Sequence, residues 1–269
     1  MSDPVAVLMS VYERDEAPLF ERALDSIRRQ DYAGGPVRLY LCVDGPVRPE
    51  IDAVLRRQSG KIHRVLRNEV NQGLARSVNR LLGALGDEAF VFRMDSDDFA
   101  HPNRISVQVA ALKARPDVAI LGSAIREVGR DGKFLRIVRY PESCDEIRRL
   151  IARRNPLAHP TVCFRRSAIA DGLRYPTTKL SQDWALWFEC LAKGLRMANV
   201  SDVLVDMTVT EEFFRRRGSA RAFEEFQICC RGIHGLYGAS WRYVYPACRL
   251  AFRLLPPPLI RLAYGSRLR

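Results

Sequence analysis

The sequence predicts an α/β protein with a mostly parallel, doubly wound sheet flanked by helices. Three observations carry this. Apolar runs alternate with segments of helical spacing through the first half of the chain, the pattern of βαβ units. Several runs are apolar without interruption, as strands buried on both faces are. Polar and acidic residues collect just after the runs, at the edge where such sheets bind ligands.

The elements follow in order. Val5–Met9 is a buried strand, and Ala17–Arg29 is a helix with Leu19, Phe20, Ala23, Leu24 and Ile27 on one face. Val37–Val43 is a second strand, stopped by Asp44-Gly45-Pro46. Ile51–Gln58 reads as helix, Ile62–Leu66 as strand, and Gln72–Leu85 as a helix opened after Asn71. Ala89–Met94 is a strand, His101-Pro102 opens a helix to about Ala114, and Val118–Leu121 is a strand. The second half changes character: Ile120–Val128 and Phe134–Tyr140 read as strands of a mixed region, Asp145–Ala152 as a short helix, Leu180–Leu195 as an apolar helix and Val203–Val209 as a strand. A helical stretch runs from Gly218 to about Arg231.

Composition bounds the function. With 269 residues, 47% hydrophobic and 28% charged, the chain reads as an ordinary globular protein with room for one large domain and an appended tail. Net charge is +12, and only five of the 43 basic residues are Lys. Such charge suits a phosphorylated substrate or an anionic membrane. No base-reading or stacking motif accompanies it, so no nucleic-acid partner is expected. The seven cysteines include no C-x-x-C pair, which argues against zinc and for reduced core thiols. No leader pattern opens the sequence and no uncharged apolar run is long enough to span a bilayer, so a cytoplasmic protein is expected. From Phe226 onward there is no Asp or Glu, while Arg alternates with aromatic and aliphatic residues. That mixture suits peripheral contact with the inner face of a membrane, and it equally suits a helix packed on the domain with Arg outward.

The densest chemical signal is Phe90-Val-Phe-Arg-Met-Asp95-Ser-Asp97-Asp98. Three carboxylates within four residues at a strand end repel one another unless a cation or solvent relieves them. A hard divalent ion takes carboxylate oxygens and keeps positions open for phosphates. The alternative is an acidic turn with Asp98 capping the next helix. Tyr12 and Glu13 follow the first strand and Asp44 the second, so carboxylates from three strands converge on one edge.

Val7-Leu-Met-Ser-Val-Tyr12, Val43-Asp44-Gly45, Asn71-Gln-Gly-Leu-Ala75 with Asn79, and Met94-Asp-Ser-Asp-Asp98 with Pro102 and Arg104 occur in this order. His159-Pro-Thr161 and Gln182-Asp-Trp184 with Leu186-Trp187 follow. In order and spacing these segments resemble the family 2 glycosyltransferases of GT-A fold, over about Val5 to Gly218. The resemblance extends to bacterial transferases that build extracellular or capsular polysaccharide, the amylovoran type included. It implies an inverting, metal-dependent transfer of a sugar from a nucleotide-sugar donor, with UDP expected, to a glycan or lipid-linked acceptor. Carried onto this chain, it implies donor contacts at Ser10, Tyr12, Glu13, Asp44, Gly73, Arg76, Asp95 and Ser96. Mn²⁺ or Mg²⁺ would sit on Asp97 and Asp95, and Asp183 would be the general base. Acceptor or phosphate contacts fall to His159, Trp184 and Arg217, while Arg104 is a further candidate for phosphate. The implied organisation is a catalytic domain over 1–217, with a nucleotide half (1–122) and an acceptor half (123–217), then a basic helical extension over 218–269. The chain departs from the family pattern at three points: a single Asp44 where many members carry two acidic residues, Glu13 in place of Asn, and Gln182 in place of Glu.

Two other readings share some of these features. A nucleotidyltransferase has the same fold class and metal logic, but it needs a Gly-rich basic loop after the first strand, and Ser10-Val-Tyr-Glu-Arg-Asp15 has no Gly. A non-catalytic membrane-associated or nucleic-acid-binding protein would account for the charge but not for Asp95, Asp97 and Asp183.

Overall fold

The computed structural model describes residues 3–178, 180–209 and 219–254. The first strands are β1 (Val5–Val11), β2 (Val37–Asp44), β3 (Arg64–Asn68) and β4 (Phe90–Arg93). Later come β5 (Phe99–Ala100), β6 (Val118–Gly129), β7 (Phe134–Val138), β8 (Cys163–Arg165) and β9 (Arg196–Val209). They form one sheet in the order β3-β2-β1-β4-β8-β6-β9-β5, with β7 added on β6. Strands β3, β2, β1 and β4 are parallel. Strand β8 runs antiparallel to both β4 and β6 and joins this half to the second. The sheet is therefore mixed, with its parallel half at the N-terminal end of the chain.

The helices are α1 (Ala17–Arg28), α2 (Pro49–Gln58), α3 (Leu74–Leu82), α4 (Arg104–Ala114), α5 (Cys144–Leu150), α6 (Arg166–Ala170) and α7 (Gln182–Ala192), followed by α8 (Ser219–Tyr237) and α9 (Val244–Leu254). Alternate residues of β1 enter two different cores, which is the period-2 consequence of a strand covered on both faces. Val5, Val7, Met9 and Val11 meet α1, α2 and α4, whereas Ala6 and Leu8 meet α3, α5 and α7. The second core also takes Cys229 and Ile233 of α8. The described part of the C-terminal extension is thus packed on the domain. The expected boundary at 217/218 lies outside the described residues.

Most expected elements are present. β9 starts at Arg196 rather than at residue 203, because its first half pairs in parallel with β6 from Val118 onward. The short elements β5, β8 and α6 had no clear periodicity to mark them.

Candidate active site

Strand β4 lies centrally in the sheet, between β1 and β8. The loop leaving it therefore meets the loop leaving β1. Ser96 Oγ donates to Asp15 Oδ2 at 2.8 Å, and the Tyr12 amide donates to the same oxygen at 3.0 Å. From the other side β9 holds the loop: the Thr208 amide donates to Asp98 Oδ1 (2.9 Å) and Thr208 Oγ1 to the Asp97 carbonyl (2.5 Å). Arg22 Nη2 donates to Thr208 Oγ1 (2.9 Å) and to the Asp97 carbonyl (3.3 Å).

So restrained, Asp95, Asp97 and Asp98 each present a carboxylate oxygen within 4.8 Å of the others. Burial, then the charges of Asp95 and Asp15, push the Asp97 carboxyl up to about 7. Burial and the two neighbouring carboxylates push Asp98 well above the ordinary carboxylate range. Asp98 Oδ2 is buried without a hydrogen-bond partner. An all-oxygen donor set that repels itself and leaves one buried oxygen unpaired fits a hard divalent cation.

Asp44 is 3% exposed at the end of β2. Its Oδ1 accepts from Asn68 Nδ2 (2.7 Å) and the Gln72 amide (2.8 Å), and its Oδ2 from the Gly73 amide (2.9 Å). The carboxylate thus ties β2 and β3 to the turn that launches α3. The turn needs its glycines. Gly73 sits at φ +88°, and a side chain on Gly45, also at +88°, would come within 2.6 Å of the Asn71 amide nitrogen. Ser10 is half-buried where β1 nears its end, while Glu13 and Arg76 are exposed.

Across the sheet edge, α7 opens after Ser181, a non-glycine residue in the left-handed region (φ 50°). Non-glycine residues adopt that conformation at a cost, and it clusters at functional sites. Asp183 follows in the first turn of α7 and accepts from Asn155 Nδ2 at 2.5 Å. Burial raises its pKa, while Asn155, the Trp184 amide and the charge of Arg93 hold it down. His159 Nε2 pairs with the Tyr175 hydroxyl at 2.9 Å, and burial, helped by Arg93, keeps the imidazole neutral. Tyr175 feels the charges of both Asp95 and Asp183, so the acidic cluster and the candidate base flank one group of side chains: Arg93, His159 and Tyr175.

Two expected contacts move. The Trp184 indole is 4% exposed, donates to the Ile151 carbonyl (3.0 Å) and is covered by the Arg249 guanidinium 4.6 Å from its ring. It is a core residue facing α9 rather than an acceptor. Arg104 is 1% exposed, donates to the Arg93 carbonyl (2.8 Å) and packs on Phe92. It lies behind the acidic loop, out of reach of a phosphate. Arg217 lies outside the described residues.

Sequence reasoning missed Arg93, Asp15, Asn155, Tyr175 and Thr208. Only Arg93 carried a signal, a lone charge inside an otherwise apolar strand. The others are brought in by contacts from 16 to 111 residues away.

The model of the family described as glycosyl transferase family 2 matches residues 6–173. The chain belongs to glycosyltransferase family 2. An uncharacterized glycosyltransferase of Haemophilus influenzae is 32% identical over 272 residues, covering 98% of each chain. The amylovoran biosynthesis glycosyltransferase AmsE of Erwinia amylovora is 29% identical, covering 79% of each chain. A UDP-Gal:α-D-GlcNAc-diphosphoundecaprenol β-1,3-galactosyltransferase of Escherichia coli is 30% identical, covering 80% of this chain and 78% of that one. Among solved structures, the mannosyltransferase PcManGT of Pyrobaculum calidifontis with GDP-Man and Mn²⁺ superposes with a TM-score of 0.66 at 19% identity. That match covers 100% of this chain and 81% of that one. Staphylococcus aureus TarS 1–349 with UDP gives a TM-score of 0.65 at 18% identity, covering 94% and 71%. At these identities the likeness is one of fold, and the fold is GT-A. As a family 2 enzyme the protein is a glycosyltransferase, and its family segment ends ten residues before Asp183.

Proposed function

We propose that this glycosyltransferase moves one sugar, with inversion, from a UDP-linked donor to a glycan or lipid-linked saccharide in bacterial polysaccharide synthesis, and that it uses Mn²⁺ or Mg²⁺. The observation that carries the reading is the pairing of an all-carboxylate cluster with a raised carboxyl across Arg93 and Tyr175. Asp97 and Asp95 would hold the ion, which when bound offsets the negative charge that develops on the departing diphosphate. Asp183 accepts the proton of the acceptor hydroxyl as its oxygen attacks the anomeric carbon from the face opposite the diphosphate. One displacement inverts the configuration and needs no protein nucleophile. The corner formed by Asp44, Gly73 and the Tyr12 turn takes the nucleoside side of the donor.

The named relatives support the acceptor class: one belongs to amylovoran biosynthesis and another acts on a diphosphoundecaprenol-linked sugar. UDP appears in the names of the E. coli relative and of the TarS complex, and Mn²⁺ in that of the PcManGT complex. Contact with the inner face of the membrane fits the exposed Trp241 and Leu254. It does not draw on every basic residue of the tail, since Arg249 covers Trp184 and Arg253 pairs with Glu225 at 3.0 Å. Among the described residues no helix is long and apolar enough to cross a membrane.

The test is thermal stability against UDP, GDP and other nucleoside diphosphates, with and without Mn²⁺. A ligand that binds only the folded state raises the melting temperature according to its affinity. UDP with Mn²⁺ is expected to stabilise the protein but not Asp97→Ala. Stabilisation by a different diphosphate would replace UDP as the donor nucleotide, and a shift retained in Asp97→Ala would remove Asp97 from the metal site.

A further inference from the structure

Arg93 is the last residue of β4 and one of the largest fully buried side chains in the protein, 1% exposed. Its Nη2 donates to Asp95 Oδ1, while Nε and Nη1 are buried without partners. Behind it lies a second buried cation, Arg104, which donates to the Arg93 carbonyl. A buried guanidinium with unpaired donors is costly, and a hydrophobic residue of similar volume is often at least as stable. Stability alone therefore gives no reason for an arginine here. What the position does give is a fixed buried donor beside the cluster, aimed at one carboxylate oxygen of Asp95, whose side chain is 36% exposed.

We propose that Arg93 is a positioning residue of the metal site: it orients Asp95 for coordination and holds the acidic loop in its ligating shape before the ion arrives. This rests on the metal reading of Asp95 and Asp97 given above. Ligating carboxylates are usually aimed by hydrogen bonds from groups that do not touch the metal, and loss of such a group costs about 10–100-fold in metal affinity. Arginine suits this task because its guanidinium is planar, always charged and rigid in its donor geometry.

Arg93 can act on the ion with either of two opposite signs. A buried positive charge near a cation site also repels the cation. Were Arg93 only a neighbour that neutralises the carboxylates, its removal would tighten metal binding. The positioning role requires the reverse.

The experiment measures Mn²⁺ affinity directly, from the electron paramagnetic resonance signal of free Mn²⁺ in the presence of UDP, for wild type, Arg93→Met and Arg93→Lys. Circular dichroism and melting temperature report folding separately. The expected result is Mn²⁺ binding weaker by about 10–100-fold in Arg93→Met, with Arg93→Lys in between. A structural arginine would lower the melting temperature and leave Mn²⁺ affinity unchanged. A folded Arg93→Met that binds Mn²⁺ as tightly as wild type, or more tightly, overturns the proposal. If Arg93→Met does not fold, Arg93→Lys decides: weakened binding supports the role and wild-type affinity overturns it. A wild type that binds no Mn²⁺ overturns the metal reading and this inference together, whereas unchanged affinity in the variants overturns the inference alone.

Discussion

Asp97→Asn gives a prediction whose size follows from the structure. In the folded protein the Asp97 carboxyl is raised to about 7, first by burial and then by Asp95 and Asp15, from an ordinary value of 3.8. The folded state therefore holds this proton more tightly than the unfolded chain does. The associated stability is complete at pH values below about 4 and is lost as pH rises toward and through 7. At about 1.4 kcal/mol per tenfold change in the equilibrium, the loss approaches about 4 kcal/mol by pH 8. Solvent at the open edge of the half-buried carboxylate makes that figure a ceiling. More than a third of it is already lost by pH 5, so for a chain of this size the remainder corresponds to a fall in melting temperature of about 5–10 °C between pH 5 and 8. The assay is calorimetry in chelator at pH 5, 6, 7 and 8. Wild type is expected to melt progressively lower as pH rises. Asp97→Asn should lose most of that slope and melt above wild type at pH 8, because Asp98 is then also relieved of a neighbouring charge. Adding Mn²⁺ at pH 8 should restore the wild type and leave the variant unmoved. Equal slopes for the two proteins from pH 5 to 8 would refute the reasoning, since Asp97 would then be titrating as an ordinary carboxylate.

Other expectations follow from the same geometry. Asp183→Asn should lower kcat by about 10²–10⁴-fold while keeping the UDP–Mn²⁺ stabilisation, as measured by turnover and melting in parallel. Asn155→Ala removes a hydrogen bond that favours ionised Asp183, so the acid limb of the kcat/KM profile should move to higher pH. Asp44→Ala strands the amides of Gln72 and Gly73 and the side chain of Asn68. At about 1–3 kcal/mol for each buried donor left unpaired, the urea midpoint should fall. Gly232→Ala would place a methyl group 2.2 Å from Phe188 Cγ. Overpacking of this kind costs about 1–3 kcal/mol, and turnover should drop with Mn²⁺ affinity intact because α8 packs on α7 and not on the acidic loop.

The donor half was legible in the sequence because its chemistry is local. β1, β2 and β4 are dominated by apolar residues, and the polar residues that follow them must gather at one edge once the strands are parallel. Asp95, Asp97 and Asp98 need no long-range contact to be neighbours. The acceptor half was less legible. β8 has three residues and pairs antiparallel with two strands distant in sequence, and nothing in Cys163-Phe164-Arg165 announces this. Trp184 looked like a ligand contact because a Trp beside a candidate base invites that reading. Its burial depends on Arg249 and Ile151, neither adjacent in sequence. Asp44 read as a ligand for the nucleoside, and what the structure shows of it is the anchor of the α3 turn, since its partners come from β3 and from residues 72 and 73.

The turn before Asp183 is held from the far end of the chain. The Leu180 amide donates to Glu224 Oε1 at 2.9 Å, and Ser181 Oγ donates to Glu225 Oε1 at 3.4 Å. Glu225 is in turn paired with Arg221 at 2.9 Å and with Arg253 of α9 at 3.0 Å. The two tasks of the enzyme therefore have different inheritance units. Donor handling draws on the first hundred residues and would travel with them into a chimera once Thr208 of β9, which holds the acidic loop, is supplied. Proton removal would not: a graft of the acceptor half cut near residue 217 would carry the aspartate without the glutamates that set its backbone. Exchanging linkage specificity between relatives by swapping segments is therefore expected to require the last two helices to move with the proposed base, although neither lies within the segment that marks the family.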